Sequence, residues 1–216
     1  MQIVSKYIVK TNISKPFQLI ISKGSIIEFK HDHGAIVNAA NEACLGGGGV
    51  DGAISNAGGE SLFLHRLALP IISSNAPYYY EKRCEVGDAK ITGPGKYGSL
   101  GTPYVIHAVG PDYRNYMDDS FDIADALLKS AYEQSLERGK ENQLHAIAFS
   151  LISAGIYRGE VRLLEDVLMI GINSIVQSEG YEQLEEIHLF GYSDEEVETL
   201  INITKKCNDL KKIDDD

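Results

Sequence analysis

Residues 35–54 read AIVNAANEACLGGGGVDGAI, and this stretch decides the fold of the 216-residue chain. Residues 35–38 are typical of a strand buried within a sheet. Four consecutive glycines follow at 46–49, and a helical pattern begins directly after them. A buried strand that leads through glycines into a helix is the repeating unit of α/β sheets. The stretch therefore predicts an α/β fold.

The rest of the chain repeats this alternation of strand and helix. Further strands are predicted at 17–22, 104–109, 146–152 and 186–191, and helices at 50–58, 59–68, 120–138, 162–178 and 194–209. Apolar strands separated by helices predict a central sheet covered on both faces. Ligands of such folds bind at the carboxyl ends of the strands, so the loops after 35–38 and 146–152 are the expected site.

The chain shows no internal repeat or linker, so we expect a single domain over 1–216. Its core should span about 17–209, and the charged end at 210–216 should be a disordered tail. We expect a monomer without a cofactor. No metal site is expected, because the three cysteines form no CxxC pair and no zinc-ligand set can be assembled. These cysteines are expected to be reduced thiols.

The formal net charge is −11 and the isoelectric point is about 5.0. Affinity for duplex nucleic acid comes largely from Lys and Arg, so this partner is not expected. A membrane partner is not expected either, because no apolar run is long enough to span a bilayer. The N-terminus lacks a secretory signal, which predicts a cytoplasmic or nuclear protein. An anionic ligand would have to be held by backbone N–H groups and helix N-termini.

Two glycine-marked loops are the candidates for holding such an anion. Gly46–Gly49 leave the backbone free to approach a phosphate closely at the start of a helix, although a flexible surface turn is the alternative. Asp51, in the first turn of that helix, either stabilises the helix dipole or orients a water molecule. Asn41 either stabilises a turn or binds a sugar hydroxyl. The second loop, SAGIYRGE at 153–160, follows a buried strand in the same way.

The blocks AIVNAANEACLGGGGVDGAI at 35–54, GDAKITG at 87–93, YVIHAVGP at 104–111 and AFSLISAGIYRGE at 148–160 together resemble the macrodomain family. The likeness covers roughly residues 20–195 and is closest to the MacroD-like branch, whose members hydrolyse mono-ADP-ribosyl esters and deacetylate O-acetyl-ADP-ribose. It implies a three-layer α/β/α sandwich around a mixed, mostly parallel central sheet. It also implies ADP-ribose, an ADP-ribosylated protein or O-acetyl-ADP-ribose as the partner. The expected function is hydrolysis of an ester bond to the distal ribose by water; the alternative is a non-catalytic module that binds ADP-ribose or a related nucleotide.

The resemblance also implies which residues form the site. Asn41 would hold the distal ribose, and Asp51 would activate or position the water. The ligand-binding residues implied are Ser25, Ile26, Ala39, Gly47, Gly48, Gly49, Val50, Ser153, Ala154, Gly155, Ile156, Tyr157 and Tyr192. The glycine loop and the second loop would wrap opposite sides of the diphosphate, and Tyr192 would stack on adenine.

Three positions depart from the family's pattern. Ser25 stands where the family usually has the Asp that accepts the adenine amino proton. Ser55 stands where the MacroD-like branch usually has His, and Ala154 where Thr is common. The chain therefore lacks the usual side chain for three tasks. These are recognition of adenine at Ser25, positioning of water at Ser55 and a contact near the phosphates at Ala154. His107, within an apolar strand, is expected to be a hydrogen-bonded core histidine.

Overall fold

The computed structural model describes residues 1–73, 81–116 and 120–213. The strands are β1 (Gln2–Val9), β2 (Phe17–Lys23), β3 (Gly34–Ala39), β4 (Ala89–Thr92), β5 (Tyr104–Ala108), β6 (Ala146–Ser150), β7 (Glu186–Gly191) and β8 (Leu210–Ile213). The helices are α1 (Gly49–Leu67), α2 (Phe121–Glu141), α3 (Leu164–Val176) and α4 (Asp194–Lys206). A short 3-10 helix, Ile26–Glu28, follows β2.

All of these strands lie in one sheet, in the order β4-β5-β3-β6-β7-β2-β1-β8. The five central strands, β5 to β2 in that order, pair in parallel. The outer pairs, β4 with β5, β2 with β1 and β1 with β8, are antiparallel. The predicted mixed, mostly parallel sheet is therefore confirmed.

Helices cover both faces of the sheet because the central strands are apolar on both sides. On β3, Ile36 packs in one core with Ile54 and Leu62 of α1. Its neighbours Ala35 and Val37 point to the opposite face, where they share a larger core with residues of α2, α3 and α4. This alternation along each strand produces the predicted three-layer α/β/α sandwich.

The structure contains three strands that the sequence did not predict. β1 is largely exposed along its first half and lacks an apolar run, and β4 has only 4 residues. The prediction of a disordered tail is wrong for 210–213, because β8 pairs with residues 6–9 of β1. Its lysines are exposed while main-chain hydrogen bonds hold the strand, so composition alone suggests a tail. Residues 214–216 of the predicted tail lie outside the described residues.

Helix α1 combines the two helices predicted at 50–58 and 59–68. Gly59 has φ 60° and ψ −158°, which interrupts the helical backbone at the predicted boundary. The axis of the second half of α1 therefore differs in direction from the axis of the first half, and this kink affects the site described below. Within the described part of the chain, every helix is too short or too polar to cross a membrane.

Candidate functional site

A cavity of about 610 Å³ lies at the carboxyl ends of β3, β6, β7 and β2. Among the residues that line it are Ser25, Ile26, Ala39, Asn41, Gly47, Gly48, Gly49, Val50, Asp51, Ser153, Gly155, Ile156, Tyr157 and Tyr192. These are the predicted site residues apart from Ala154. Strands β3 and β2 are separated by β6 and β7, so the cavity extends across about 14 Å of the sheet edge. It therefore suits an elongated ligand.

Ala154 is the exception. Its side chain is buried in the main core, and its N–H donates to the carbonyl of Leu151 at 3.2 Å. Ser153, immediately before it, has φ 57°, and this left-handed conformation accompanies the turn that directs Ala154 inward. The prediction that Ala154 lines the site is thus corrected, and a hydroxyl at this position would enter the core.

The two glycine-marked loops approach each other across the cavity. A Cβ atom on Gly48 would lie 3.8 Å from Cδ1 of Ile156, and one on Gly49 would lie 4.0 Å from the same atom. Ile156 is otherwise exposed, so its side chain bridges the two loops over the cavity. Gly49 has φ 58°, which glycine adopts without strain. Larger side chains at 48 and 49 would narrow the passage beneath this bridge.

Hydrogen bonds from neighbouring segments hold the second loop in place. The Ser153 hydroxyl donates to the carbonyl of Pro111 at 2.8 Å, and the carbonyl of Tyr157 accepts from the N–H of Tyr113 at 2.7 Å. Arg158 donates through Nε to the carbonyl of Ala154 at 3.1 Å. These hydrogen bonds fix the conformation of the loop, and the loop lines the cavity with Ser153, Gly155, Ile156 and Tyr157.

No Lys, Arg or His is among the described residues that line the cavity. Glycine main chain and the N-terminus of α1 lie along the cavity, and both can attract an anion through their N–H groups. An anion in this cavity would be bound by main-chain N–H groups rather than by a counter-charge.

Asn41 and Asp51 converge on Gly47. A Cβ atom on Gly47 would lie 3.2 Å from Oδ2 of Asp51 and 3.3 Å from Nδ2 of Asn41. The Asn41 amide also stabilises its own loop, because Nδ2 donates to the carbonyl of Gly46 at 3.0 Å and Oδ1 accepts from the N–H of Cys44 at 3.2 Å. Both predicted roles of Asn41 are thus compatible with its position: it braces the turn and lines the cavity.

Asp51 is buried and is held by one of its two carboxylate oxygens. Oδ1 accepts a hydrogen bond from Nδ2 of Asn38 at 2.9 Å and lies 3.0 Å from Nη1 of Arg66. Oδ2 has no hydrogen-bond partner among the described residues. This second oxygen is itself buried beside Gly47, so it is an unpaired acceptor that a water molecule or a sugar hydroxyl could use only by coming close to Gly47.

Arg66 is a residue of this site that the sequence did not reveal. Its side chain is 1% exposed, and Nη1 donates to the Ser55 hydroxyl at 2.8 Å as well as pairing with Asp51. The Ser55 hydroxyl in turn donates to the Asp51 carbonyl at 2.7 Å. Arg66 therefore contacts Asp51 directly and also bonds to Ser55, the position where the resembling branch usually has His. The spacing of 15 residues gave no signal, because the kink at Gly59 sets the direction of Arg66.

His107 extends the same buried polar network. Its Nε2 lies 3.0 Å from the hydroxyl of Thr92, and its Nδ1 lies 3.4 Å from Nδ2 of Asn38. Burial holds the pKa of His107 well below its usual value, and the positive charge of Arg66 lowers this pKa further. The predicted hydrogen-bonded core histidine is confirmed, and it is neutral at pH 7.

The far end of the cavity is formed after β2 and β7. Lys23 and Gly191 are register partners on these strands, so Ser25 and Tyr192 follow them side by side. Ser25, Ile26, Phe190, Tyr192 and Glu196 line this end. Tyr192 is 78% exposed, so its ring is available to a ligand at the rim. Glu196, which the sequence did not suggest as a site residue, belongs to the first turn of α4.

Comparison with known proteins yields a consistent set of relatives. The sequence profile of the Macro domain family matches residues 37–167. A macro domain-containing protein of Caldanaerobacter subterraneus is 36% identical over 180 residues, which cover 82% of this chain and 89% of that protein. The O-acetyl-ADP-ribose deacetylase 1 of Pantoea vagans is 42% identical over 125 residues, 57% of this chain. That match spans 63% of the Pantoea protein, less than two thirds of its length.

Solved structures with the same fold have been determined with nucleotides. The Oceanobacillus iheyensis macrodomain with ADP has a TM-score of 0.72 and 26% sequence identity, covering 95% of this chain and 97% of its own. The Trypanosoma brucei macrodomain in complex with ADP-ribose has a TM-score of 0.66 and 27% identity, covering 85% of this chain and 68% of its own.

Proposed function

This chain belongs to the Macro domain family, and on that premise we propose that it binds ADP-ribose and hydrolyses an ester bond to the distal ribose. The observation that carries the proposal is the convergence of Asn41 and the free Oδ2 of Asp51 on Gly47. The substrate is a mono-ADP-ribosylated protein or O-acetyl-ADP-ribose. A relative that bears the name O-acetyl-ADP-ribose deacetylase 1 supports this substrate class.

The proposed ligand occupies the cavity from Tyr192 to Asn41. Its diphosphate lies between the glycine loop and the second loop, where main-chain N–H groups and the N-terminus of α1 neutralise it. Asp51 is within the first turn of that helix, but its negative charge is balanced by Arg66. The paired arginine thus reduces the repulsion between Asp51 and the diphosphate.

In the proposed reaction a water molecule attacks the ester carbonyl carbon at the distal ribose. Oδ2 of Asp51 accepts a hydrogen bond from this water and orients it. The bond between the carbonyl carbon and the ribose oxygen breaks, the ribose oxygen takes a proton, and the carboxylic acid leaves. No serine or cysteine nucleophile is involved. Cys44, the thiol closest in sequence to the loop, is buried against Ala40, Cys84 and Val109.

A hydrolysis assay tests the proposal. Wild type, Asp51→Ala and a control, Glu195→Gln on the exposed part of α4, are given Glu-linked ADP-ribosylated protein, Ser-linked protein and O-acetyl-ADP-ribose. We expect wild type and the control to cleave the two ester substrates, and Asp51→Ala to lose about 10²-fold or more of this activity. The Ser-linked protein carries an O-glycosidic bond without an ester carbonyl, so it should not be cleaved. Background release of all substrates by wild type would contradict hydrolysis.

The second candidate function is a module that binds ADP-ribose without turnover. The observation that favours it is that both amide atoms of Asn41 already bond to the loop. Calorimetry separates the two candidates: micromolar binding of ADP-ribose without release would establish the binding module. Absence of binding at about millimolar ligand, roughly −4 kcal/mol, would refute both.

A further inference from the structure

At the end of the cavity formed by Ser25 and Tyr192, Ser25 stands where the resembling family usually has the Asp that binds the adenine amino group. Ser25 is neutral, and its hydroxyl both donates and accepts hydrogen bonds. It would therefore serve an amino group and a carbonyl group about equally well. If the proposed function is correct, another acceptor must satisfy the exocyclic amino group of adenine, because an unpaired polar group is costly in a closed site.

Glu196 is the carboxylate at this end. It lines the cavity together with Ser25 and Tyr192. It lies in α4, which follows β7, whereas Ser25 follows β2, so the parallel pairing of these two strands brings both residues to the same end. Within the described residues, Glu196 is the only acidic side chain of this end of the cavity.

The Glu196 carboxylate is held in a fixed orientation. Oε2 accepts hydrogen bonds from the N–H groups of Tyr192 at 2.7 Å and Ser193 at 3.0 Å. The N–H of Glu196 donates to the Ser193 hydroxyl at 3.2 Å, which completes the capping box of α4. No donor pairs with Oε1 in the described part of the chain, so one oxygen caps the helix and the other is unoccupied.

We propose that Oε1 of Glu196 accepts a hydrogen bond from the exocyclic amino group of the base, which makes Glu196 the residue that selects adenine. The inference rests on the proposed function, because it requires ADP-ribose in this cavity. A carboxylate can only accept hydrogen bonds. It therefore favours the amino group at position 6 of adenine and repels the carbonyl group at the same position of hypoxanthine. The serine hydroxyl at 25 contributes no such discrimination.

Calorimetry with ADP-ribose and its inosine counterpart tests this selectivity. Wild type should bind ADP-ribose about tenfold to a hundredfold more tightly than the hypoxanthine ligand, as expected for a hydrogen bond to a charged acceptor. In Glu196→Gln, the amide oxygen can keep the capping contacts to Tyr192 and Ser193. The amide nitrogen then presents a donor to the base. The preference should fall to about one or reverse in favour of hypoxanthine.

Glu195→Gln is the matched control. Glu195 is the preceding residue, is exposed and does not line the cavity, so this substitution removes the same charge from the same helix turn. It should leave the preference for adenine unchanged. An equal loss of preference in both variants would assign the effect to net charge and overturn the proposal.

The outcomes separate this inference from the proposed function. Failure of wild type to bind ADP-ribose refutes the proposed function itself. An unchanged preference in Glu196→Gln, with ADP-ribose still bound, would show that Glu196 only caps α4. If that variant does not fold, wild type and Glu196→Asp decide. Equal affinity of wild type for the two ligands overturns the proposal. A preference for adenine in wild type that is lost in Glu196→Asp, whose shorter side chain withdraws the acceptor, supports it.

Discussion

Replacing Arg66 by Met tests how strongly the buried arginine stabilises Asp51. The two side chains are 1% and 3% exposed, and Nη1 lies 3.0 Å from Oδ1. Methionine fills a similar volume without the charge, so Asp51 would remain buried with Asn38 as its hydrogen-bond donor. Removal of one partner of a buried ion pair costs about 3–5 kcal/mol, because the other charge is left uncompensated.

This loss is large compared with the stability of an ordinary domain, which is about 5–15 kcal/mol. For a chain of this length it corresponds to a fall in melting temperature of about 6–20 °C. Urea unfolding followed by far-ultraviolet circular dichroism measures it, and tyrosine fluorescence provides a second signal because the chain has no tryptophan. The free energy of unfolding should decrease without a change in the urea dependence.

A double-mutant cycle shows whether the loss comes from the pair. Asp51→Asn alone leaves the Arg66 charge buried, whereas the double variant removes both charges. We expect the double variant to be at least about 1 kcal/mol more stable than the sum of the single losses predicts. Additive losses, within about 0.5 kcal/mol, would refute the view that Arg66 acts by compensating Asp51.

Arg114→Met is the matched control for this cycle. Arg114 pairs with Asp112 at 2.6 Å, but its side chain is 50% exposed. Water screens such a pair, so its loss should change the free energy of unfolding by less than about 1 kcal/mol. A comparable loss at both sites would mean that burial is not the reason for the effect.

Three further predictions concern His107, Gly98 and Tyr192. The pKa of His107 is lowered in the folded state, so the unfolded chain binds a proton that the folded chain does not, and stability falls below about pH 6.5 by up to about 1.4 kcal/mol per pH unit. Urea titrations at pH 7.0 and 5.5 should show a smaller fall in His107→Gln; equal falls would contradict this assignment. Gly98→Ala should lose about 1–3 kcal/mol in the same assay, because φ is 47° and the new Cβ would overlap the carbonyl oxygen of Ala57. Gly155→Ala, with open space around its Cβ, is the control, and an equal loss there would refute the steric explanation. Tyr192→Ala should weaken ADP-ribose binding about 2- to 12-fold in calorimetry if the exposed ring stacks on the base, whereas unchanged affinity would exclude stacking.

The central part of the fold was predictable because its signals are local. The apolar runs of β3, β6 and β7 are buried on both faces, so the sequence itself carries the pattern. β1 and β8 are different, since each is partly exposed and depends on its partner for hydrogen bonds. A segment such as Leu210–Ile213 becomes a strand only when β1 lies beside it, and composition does not contain that information.

The same distinction applies to the site. Asn41, the glycines and Asp51 lie within one continuous stretch, so their juxtaposition follows from a strand, a turn and a helix start. Arg66 reaches Asp51 only because α1 changes direction at Gly59. The spacing of Ser193 and Glu196, a Ser followed three residues later by a Glu, indicates the start of a helix, and α4 begins there. That Glu196 and Ser25 line the same end of the cavity, however, depends on the pairing of β2 with β7.

The arrangement of arginines explains how an acidic chain can hold an anion without a basic cavity. Arg66 compensates Asp51, Arg158 donates to the carbonyls of Ala154 and Arg162, and Arg114 pairs with Asp112. Arg66 and Arg158 therefore hold residues of the site and its loops, the exposed Arg114 pair contributes little, and none of these three guanidinium groups lines the cavity itself. Main-chain N–H groups cannot change their charge or withdraw like a flexible side chain. Their position depends on the conformation of the glycine loop. If the proposed function is correct, the shape of the backbone therefore selects the ligand more than the charge of any side chain does.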